Sequence, residues 1–568
     1  MLDTSNTVTN SHYKKNWWKE AVAYQIYPRS FMDSNGDGIG DLNGITERLD
    51  YLKDLGIDVI WICPMFKSPN DDNGYDISDY QEIMDEFGSM ADFDRLLEAV
   101  HERGMRLILD LVVNHTSDEH PWFVESKASK DSPKRDWYIW RDGTSGKEPN
   151  NWESIFKGPA WEYDQGTEQY YMHLFSKKQP DLNWENKAVR EAIYQMINWW
   201  LDKGIDGFRL DAISHMKKEP GFKDMSNPKG LKNVPCWDKM MNVDGIIDYL
   251  DGMCDNTFRK YDIMTVGEAN GVSVTQAENW VGEDKQRLNM IFQFDHLKLW
   301  EDKPDAQLDL VKLKQVFSKW QKGLENIGWN ALFLENHDIP RIVSKWGDTK
   351  QYWFESATSL ATMYFLMQGT PFIYQGQEIG MTNTQFASID DFNCVGAKNQ
   401  YAELREEGMP EQEILHLLAQ TGRDNSRTPM QWDSTLNAGF SLGTPWLKVN
   451  PNYQSVNVAQ QASDSGSILN FYRKLIALRK AEPILVYGHY DLLLEKDAQI
   501  YAYTRTLDGL QLLIMCNLTG LPAQYNHPDC LPTSEHLLLG NYSVAAHGAA
   551  NSLLLGPFEA RIYRLCKA

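Results

Sequence analysis

Three acidic residues stand at the carboxyl ends of three short apolar runs: Asp211 in IDGFRLDAISH, Glu268 in MTVGEAN and Asp338 in LFLENHD. A parallel (β/α)₈ barrel gathers its strand ends at one face, where catalytic groups converge. Carboxylates brought together at such a mouth suit cleavage of a glycosidic bond, which needs an attacking anion and a proton donor. Arg209 precedes Asp211 by two positions, and on a strand such residues share a face. Its guanidinium should therefore lie beside the carboxylate and keep it ionised, as a nucleophile requires. A buried structural ion pair is the other reading of those two residues alone. Glu268 follows Gly267, whose missing side chain leaves room for a substrate. Crowding by neighbouring carboxylates favours a held proton, which is what a general acid needs. Taken singly, Gly-Glu is a helix start and Asn336-His337-Asp338 a turn or cap; the three in order make the catalytic reading. His115, closing the run Asp110–His115, is placed to hydrogen-bond a sugar hydroxyl, and no second His or Cys lies at zinc-ligand spacing.

The elements that must position these groups are legible as eight short apolar runs, at 22–27, 59–63, 106–113, 205–210, 263–266, 290–294, 331–334 and 371–374. Amphipathic stretches separate them, for example 92–103 and 187–202, where Val189, Ile193, Ile197, Trp200 and Leu201 recur at helical spacing. Eight strand–helix alternations predict an α/β chain forming a (β/α)₈ TIM barrel. A doubly wound sheet is the alternative, but no glycine-rich dinucleotide loop follows an early strand. The third and fourth runs are about ninety residues apart, far more than one barrel helix needs. Residues 116–185 therefore read as an inserted subdomain, and 381–433 as a second insertion. Both leave from strand carboxyl ends and should roof the active face. From 489 to 568 the pattern becomes short strands, 499–504 and 511–517 among them, with turns at Asp508-Gly509 and Thr519-Gly520. The expected division is a barrel over 1–115 and 186–488, a subdomain over 116–185 and a C-terminal antiparallel β domain over 489–568.

Asp33, Asn35, Asp37, Ile39 and Asp41 alternate with small residues, mostly glycine, in a loop after the first strand. They match the first nine positions of a calcium loop, oxygen side chains at 1, 3, 5 and 9 and a carbonyl at 7. Position twelve is Gly44, so this is not a complete EF-hand. A structural Ca²⁺ or Mg²⁺ remote from the chemistry is expected, with a metal-free polar turn as the alternative.

Composition narrows the partners. The formal net charge of -23 repels phosphate backbones and anionic membranes, which disfavours nucleic acid and membrane partners and leaves a neutral small substrate. No apolar leader or membrane span is read, because the longest uncharged stretch, 357–374, is broken by Gln368, Gly369 and Pro371. Seven scattered cysteines without a CxxC pair fit reduced thiols in a cytoplasmic protein. Most of the twenty tryptophans are expected in the core, a minority in a sugar cleft.

Asp110–His115, Gly207–Asp211, Gly267–Glu268 and Asn336–Asp338 together resemble the four signature regions of the α-amylase superfamily of glycoside hydrolases. Gln179-Pro-Asp-Leu-Asn183 is similar to that family's further motif near the end of its inserted domain. The segments 71–76, 369–378 and 423–432 resemble the oligo-1,6-glucosidase and α-glucosidase branch, and the likeness runs from about Trp17 to the C-terminus. The resemblance implies Asp211 as nucleophile, Glu268 as general acid/base and Asp338 as transition-state stabiliser. It implies contacts to the transferred glucose from His115, Arg209 and His337, and stacking by Tyr75. Asp72 and Arg423 match the pair that closes the pocket behind the non-reducing end; Phe175 and Gln179 match groups near it. A retaining, exo-acting mechanism follows.

In the resembling branch valine commonly follows the nucleophile of α-1,6-preferring enzymes. Here that residue is Ala212, followed by Ile-Ser-His, and Gly267-Glu-Ala-Asn-Gly271 departs from the frequent Gly-Glu-Met-Pro-Gly. Removing two methyl groups beside the leaving-group site admits a differently angled sugar, so the expectation is α-1,4 cleavage of maltose and short malto-oligosaccharides, with some transglycosylation. The alternatives are an oligo-1,6-glucosidase and a sucrose-isomerising transglucosidase, though 295–329 lacks the Arg-Leu-Asp-Arg motif of the latter. A non-catalytic transporter-associated or sugar-binding barrel is the alternative of another class, and such barrels lack these carboxylates.

Overall fold

Strands buried on both faces carry unbroken apolar sequence, and eight of them build the centre of this protein. The computed structural model describes residues 15–299, 307–527, 536–544 and 552–565. The barrel strands are β1 (Ala23–Ile26), β2 (Val59–Ile62), β3 (Arg106–Val112), β4 (Gly207–Asp211), β5 (Met264–Glu268), β6 (Met290–Phe292), β7 (Ala331–Leu332) and β8 (Thr370–Tyr374). They are hydrogen-bonded in the order β6-β5-β4-β3-β2-β1-β8-β7, every pairing parallel. One isolated bridge, Ile291 to Asn330, spans the remaining gap between β6 and β7. The result is a nearly closed (β/α)₈ barrel. Its β7 is shorter than the apolar run predicts: Phe333 and Leu334 are buried but leave the ladder. Asp338 consequently sits well beyond the strand rather than at its end.

Two registers set the site. Arg209 on β4 lies opposite Asp110 on β3 and Val266 on β5. Gly207 makes the approach of β5 possible: at φ +140, a Cβ there would fall 1.8 Å from the Met264 carbonyl oxygen. The helices outside follow the expected periodicity. Met90–Glu102 starts with a capping box of Ser89 and Asp92 and buries Phe93, Leu96, Leu97 and Val100. Lys187–Asp202 is capped by Asn186 and buries Val189, Ile193, Ile197, Trp200 and Leu201.

The insertion after β3 carries a small antiparallel sheet, Trp140–Arg141, Gln169–Met172 and Trp161–Asp164. Its core is not its own, since Cys236, Met240, Phe222 and Met225, from the loop after β4, complete it. Trp152 also bridges to Val234. The insertion after β8 packs helices Val395–Glu406 and Glu411–Thr421 around Phe392, Ile414 and Leu418. At the C-terminal end, His489–Leu493, Ile500–Leu507, Leu510–Asn517, Ala560–Leu565 and Leu537–Gly540 form one antiparallel sheet in that order. The Asp508-Gly509 turn has φ of 47° and 79°, the left-handed pair that a two-residue hairpin favours.

This sheet is fastened to the barrel by buried cations that meet carbonyls: Arg505, on the strand Ile500–Leu507, donates to Leu366 O, Leu485 O and Gly488 O. Lys314, fully buried, donates to Leu494 O (2.7 Å) and Asp497 O (2.6 Å). Among the described residues no helix is long and apolar enough to cross a membrane. Cys63, Cys236, Cys254, Cys394 and Cys516 are free and buried, while Cys530, Cys566 and residues 1–14 lie outside the described residues. Because Lys314→Ala leaves two carbonyls without their donor, it should destabilise the protein by about 1–3 kcal/mol. Denaturant unfolding followed by circular dichroism measures this, and an unchanged midpoint would show that the clamp contributes nothing.

Candidate active site

Arg209 is 3% exposed and lies at the centre of the strand ends. Its Nη1 donates to Asp110 Oδ1 (2.6 Å) and Asp211 Oδ1 (2.7 Å), and its Nη2 to Glu268 Oε2 (2.7 Å). The pairing with Asp211 expected from the two-residue spacing is present, and the same guanidinium gathers a carboxylate from each neighbouring strand. Trp61 Nε1 (2.9 Å) and the Tyr75 hydroxyl (3.2 Å) hold the other oxygen of Asp110. Asp211 and Glu268 both face a cavity of about 790 Å³.

The electrostatics depart from expectation at Asp211. Burial raises its pKa well above the carboxylate range, Arg209 opposes this, and the charge of Glu268 adds to it. Burial raises Asp110 likewise, against Arg209. Three carboxylates share one guanidinium, and the pairing with Arg209 does not by itself offset the effect of burial at Asp211.

Asp338 has the opposite setting. Its Oδ1 accepts from Arg423 Nη1 and Arg427 Nη2, both at 2.9 Å, and its Oδ2 lies 3.1 Å from His337 Nε2. Burial would raise its pKa, but His337 and the two arginines outweigh burial and hold it well below the usual range. Burial would lower His337, yet Asp338 outweighs that and raises it to about 10. The Nδ1 of His337 lies 2.7 Å from Gln25 Nε2; a ring protonated on Nδ1 requires this amide turned so that its oxygen accepts.

Arg423 joins two loops, since its Nη2 donates to Asp72 Oδ1 (3.0 Å) while Nη1 holds Asp338. Gln179 Nε2 lies 3.2 Å from both Asp72 Oδ2 and His115 Nε2. His115, whose pKa burial lowers, also meets Tyr75 O (3.0 Å). One face of Tyr75 stacks on His337, with centroids 5.1 Å apart and planes 4° apart, while the residue lines the cavity. Phe175 packs on His115 and Phe156 and lines the same wall. Asp72, Tyr75, His115, Phe175, Asp211, Ala212, Glu268, Asp338 and Arg423 therefore share one cavity. Arg209, His337 and Gln179 stand behind it and hold those that do.

Both insertions reach the mouth, where Phe156 of the first meets Arg423 of the second, the guanidinium 5.0 Å from the ring centre. Sequence reasoning gave no role to Asp110 or Arg427, although both lie in quoted motifs; the unusual carboxylate within an apolar run was the signal at Asp110. Trp237, 46% exposed, is the one tryptophan lining the cavity among the described residues.

The Asp33–Asp41 loop is separate and none of its five oxygen positions lines the cavity. Asp33 accepts from Asn35 N, Gly36 N, Gly38 N and Ser441 Oγ, and Asp41 from Ser34 and Gly44 N. The side-chain oxygens of Asn35 and Asp37 each accept one loop amide. Among the described residues no three His, Cys, Asp or Glu side chains cluster as a metal site. The loop's donors are nonetheless all oxygen, the set a hard cation takes.

His337 stabilises the fold fully below its unfolded value near 6.5, and this contribution should be lost as pH rises through about 10. NMR titration of the His337 ring should show it protonated through neutrality, and a midpoint near 6.5 would contradict the assignment.

Residues 25–488 match the family described as alpha amylase, catalytic domain. The chain is 57% identical over 553 residues to Probable oligo-1,6-glucosidase 3 of Bacillus subtilis (strain 168), covering 97% of this chain and 100% of that protein. It is 55% identical over 555 residues to Oligo-1,6-glucosidase of Halalkalibacterium halodurans, covering 96% and 98%. The crystal structure of trehalulose synthase MutB from Pseudomonas mesoacidophila MX-45 superposes with a TM-score of 0.93 at 45% identity, over 97% and 100% of the two chains. With this match across nearly its whole length, the chain belongs to the α-amylase family and is a glycoside hydrolase.

Proposed function

We propose that this glycoside hydrolase is a retaining, exo-acting α-glucosidase of short oligosaccharides. The observation that carries the reading is Arg423, which bridges Asp72 and Asp338 and so seals the cavity behind one terminal glucose. Asp211 attacks the anomeric carbon as the glycosidic C–O bond breaks, and Glu268 gives its proton to the departing oxygen. Glu268 then takes a proton from water, whose oxygen bonds to that carbon and releases Asp211 and α-glucose. Such a double displacement places the two carboxyl groups about 5–5.5 Å apart. Their attachment to adjacent nitrogens of one guanidinium supports a short separation. Asp338, held as an anion, stabilises positive charge at the ring; Tyr75 and His115 seat the sugar, and His337 supports Tyr75 and Asp338 from behind.

The linkage has two readings. Ala212 beside the nucleophile favours the α-1,4 bond of maltose and its short homologues. The names of the similar proteins run against this and favour α-1,6 linkages, while the structural neighbour named trehalulose synthase raises sucrose isomerisation. Turnover of maltose, maltotriose, isomaltose, sucrose and trehalose, with product identification, separates them. A strong isomaltose preference would overturn the α-1,4 reading, and conversion of sucrose to an isomer would overturn hydrolysis as the main outcome. Glu268→Gln should lower kcat by roughly 10²–10⁴-fold and Asp211→Ala should abolish turnover, both with unchanged circular dichroism. Undiminished activity in either would refute its role.

For the loop after β1, we propose a structural Ca²⁺ or Mg²⁺ held by Asp33, Asn35, Asp37, the Ile39 carbonyl and Asp41. The all-oxygen donor set supports this. Dialysis against EDTA should lower the melting temperature and added Ca²⁺ or Mg²⁺ restore it; no change would mean that the amide network alone maintains the turn. The unpaired, buried thiols suit a reducing, cytoplasmic setting.

A further inference from the structure

Trp237 is 46% exposed, yet the residues that anchor it are buried: Cys236 and Met240, each 1% exposed, belong to the core shared with the first insertion. It opens the short helix Trp237–Met240 in the loop after β4. Ahead of it, Val234 N–H donates to Asn151 O (2.8 Å) and Glu153 N–H to Val234 O (3.0 Å). Behind it, His215 Nδ1 lies 2.8 Å from Met240 O, and Asn242 N–H donates to Ser214 O (2.7 Å). Singly exposed apolar side chains are ordinary on an outer surface, but Trp237 lines the cavity that Asp211 and Glu268 face. Glu268 gives its proton to the departing oxygen, so the first departing sugar lies along residues 269–271. Met241 flanks that segment closely: a Cβ on Gly271 would fall 2.6 Å from Met241 Cε, and Asn242 Nδ2 lies 3.4 Å from Gly271 O. Trp237 precedes Met241 by one helical turn, ~5 Å. Exposure rises from buried Ala269 through half-buried Met241 to Trp237, so this line runs outward from the reacting bond. Arg423 shuts the opposite end.

We infer that Trp237 is a specificity-determining residue whose indole face seats the second departing glucose, so that trisaccharides are favoured over disaccharides. The inference rests on the exo-acting α-glucosidase reading above. One face of a pyranose is made of C–H groups, and laying it on the indole takes apolar surface of both out of water. The anchored residues on either side fix the backbone that carries the ring, so little conformational freedom is lost when a sugar arrives. A disaccharide has one departing sugar and does not reach this ring; a trisaccharide has two and does. The contact acts on binding and on the first displacement. It is gone by the time water attacks the carbon bonded to Asp211.

The test measures kcat/KM for maltotriose against maltose and for isomaltotriose against isomaltose, and takes the ratio within whichever linkage the unmodified protein cleaves faster. That ratio should exceed one. Trp237→Ala should lower it about tenfold, the effect of returning on the order of 50 Å² of apolar ring surface to water. Trp237→Phe, which keeps a flat ring, should hold it within about threefold of the unmodified value. Trp237→Leu, apolar but not flat, should lower it as alanine does, and serves in its place should alanine disturb folding. An unchanged ratio in the alanine and leucine variants would overturn the inference, as would equal losses on the disaccharide and the trisaccharide. A leucine variant that keeps the ratio while alanine loses it would assign the effect to bulk and overturn the stacking. Failure of the unmodified protein on all four sugars would overturn the α-glucosidase reading itself.

Discussion

One buried guanidinium organises the catalytic face. Arg209 sits on β4 with Asp110 across one ladder and Val266 across the other, so Glu268, two residues beyond Val266, comes within its reach. Three carboxylates from adjacent strands converge only because this cation stands among them. Without it they would be buried, uncompensated and mutually repelling, an arrangement that costs several kcal/mol. Gly207 and the neighbours of Asp110, Trp61 and Tyr75, serve this arrangement. The first lets β5 come close, and the others fix the one carboxylate that faces away from the cavity mouth.

The two sides of the cavity are electrostatically unlike. Around Arg209 negative charge is in excess, and burial favours a retained proton. Around Asp338 positive charge is in excess, with Arg423, Arg427 and His337 all in contact. Proton-holding chemistry on one side and a permanent anion on the other is the division that acid-assisted glycoside cleavage requires. Neighbouring groups set it, because the same residue type, aspartate, is pushed upward at 211 and downward at 338.

Much of this was legible in the chain. Parallel strands covered on both faces give continuous apolar runs, and most of the observed strands lie within one or two residues of them. The Arg209–Asp211 contact followed from the period of a strand. Its extension to Asp110 and Glu268 did not, because that depends on inter-strand register. Burial strong enough to overcome Arg209 at Asp211 was hidden for the same reason. The core shared by the first insertion and the loop after β4 joins residues far apart in sequence, such as Trp161 and Met240. At β7 the apolar run persists past the ladder, since burial of Phe333 and Leu334 needs no strand pairing.

The brevity of β7 has a mechanical consequence. A strand joined to β6 by one bridge transmits little constraint to the loop beyond it, so Asp338 takes its position from Arg423 and Arg427 instead. Those arginines belong to the end of the second insertion, the segment that also closes on Asp72. The cavity wall and the placement of this carboxylate therefore depend on the same two arginines. The shape of the mouth and the strength of the site cannot then be altered independently by changes in that segment.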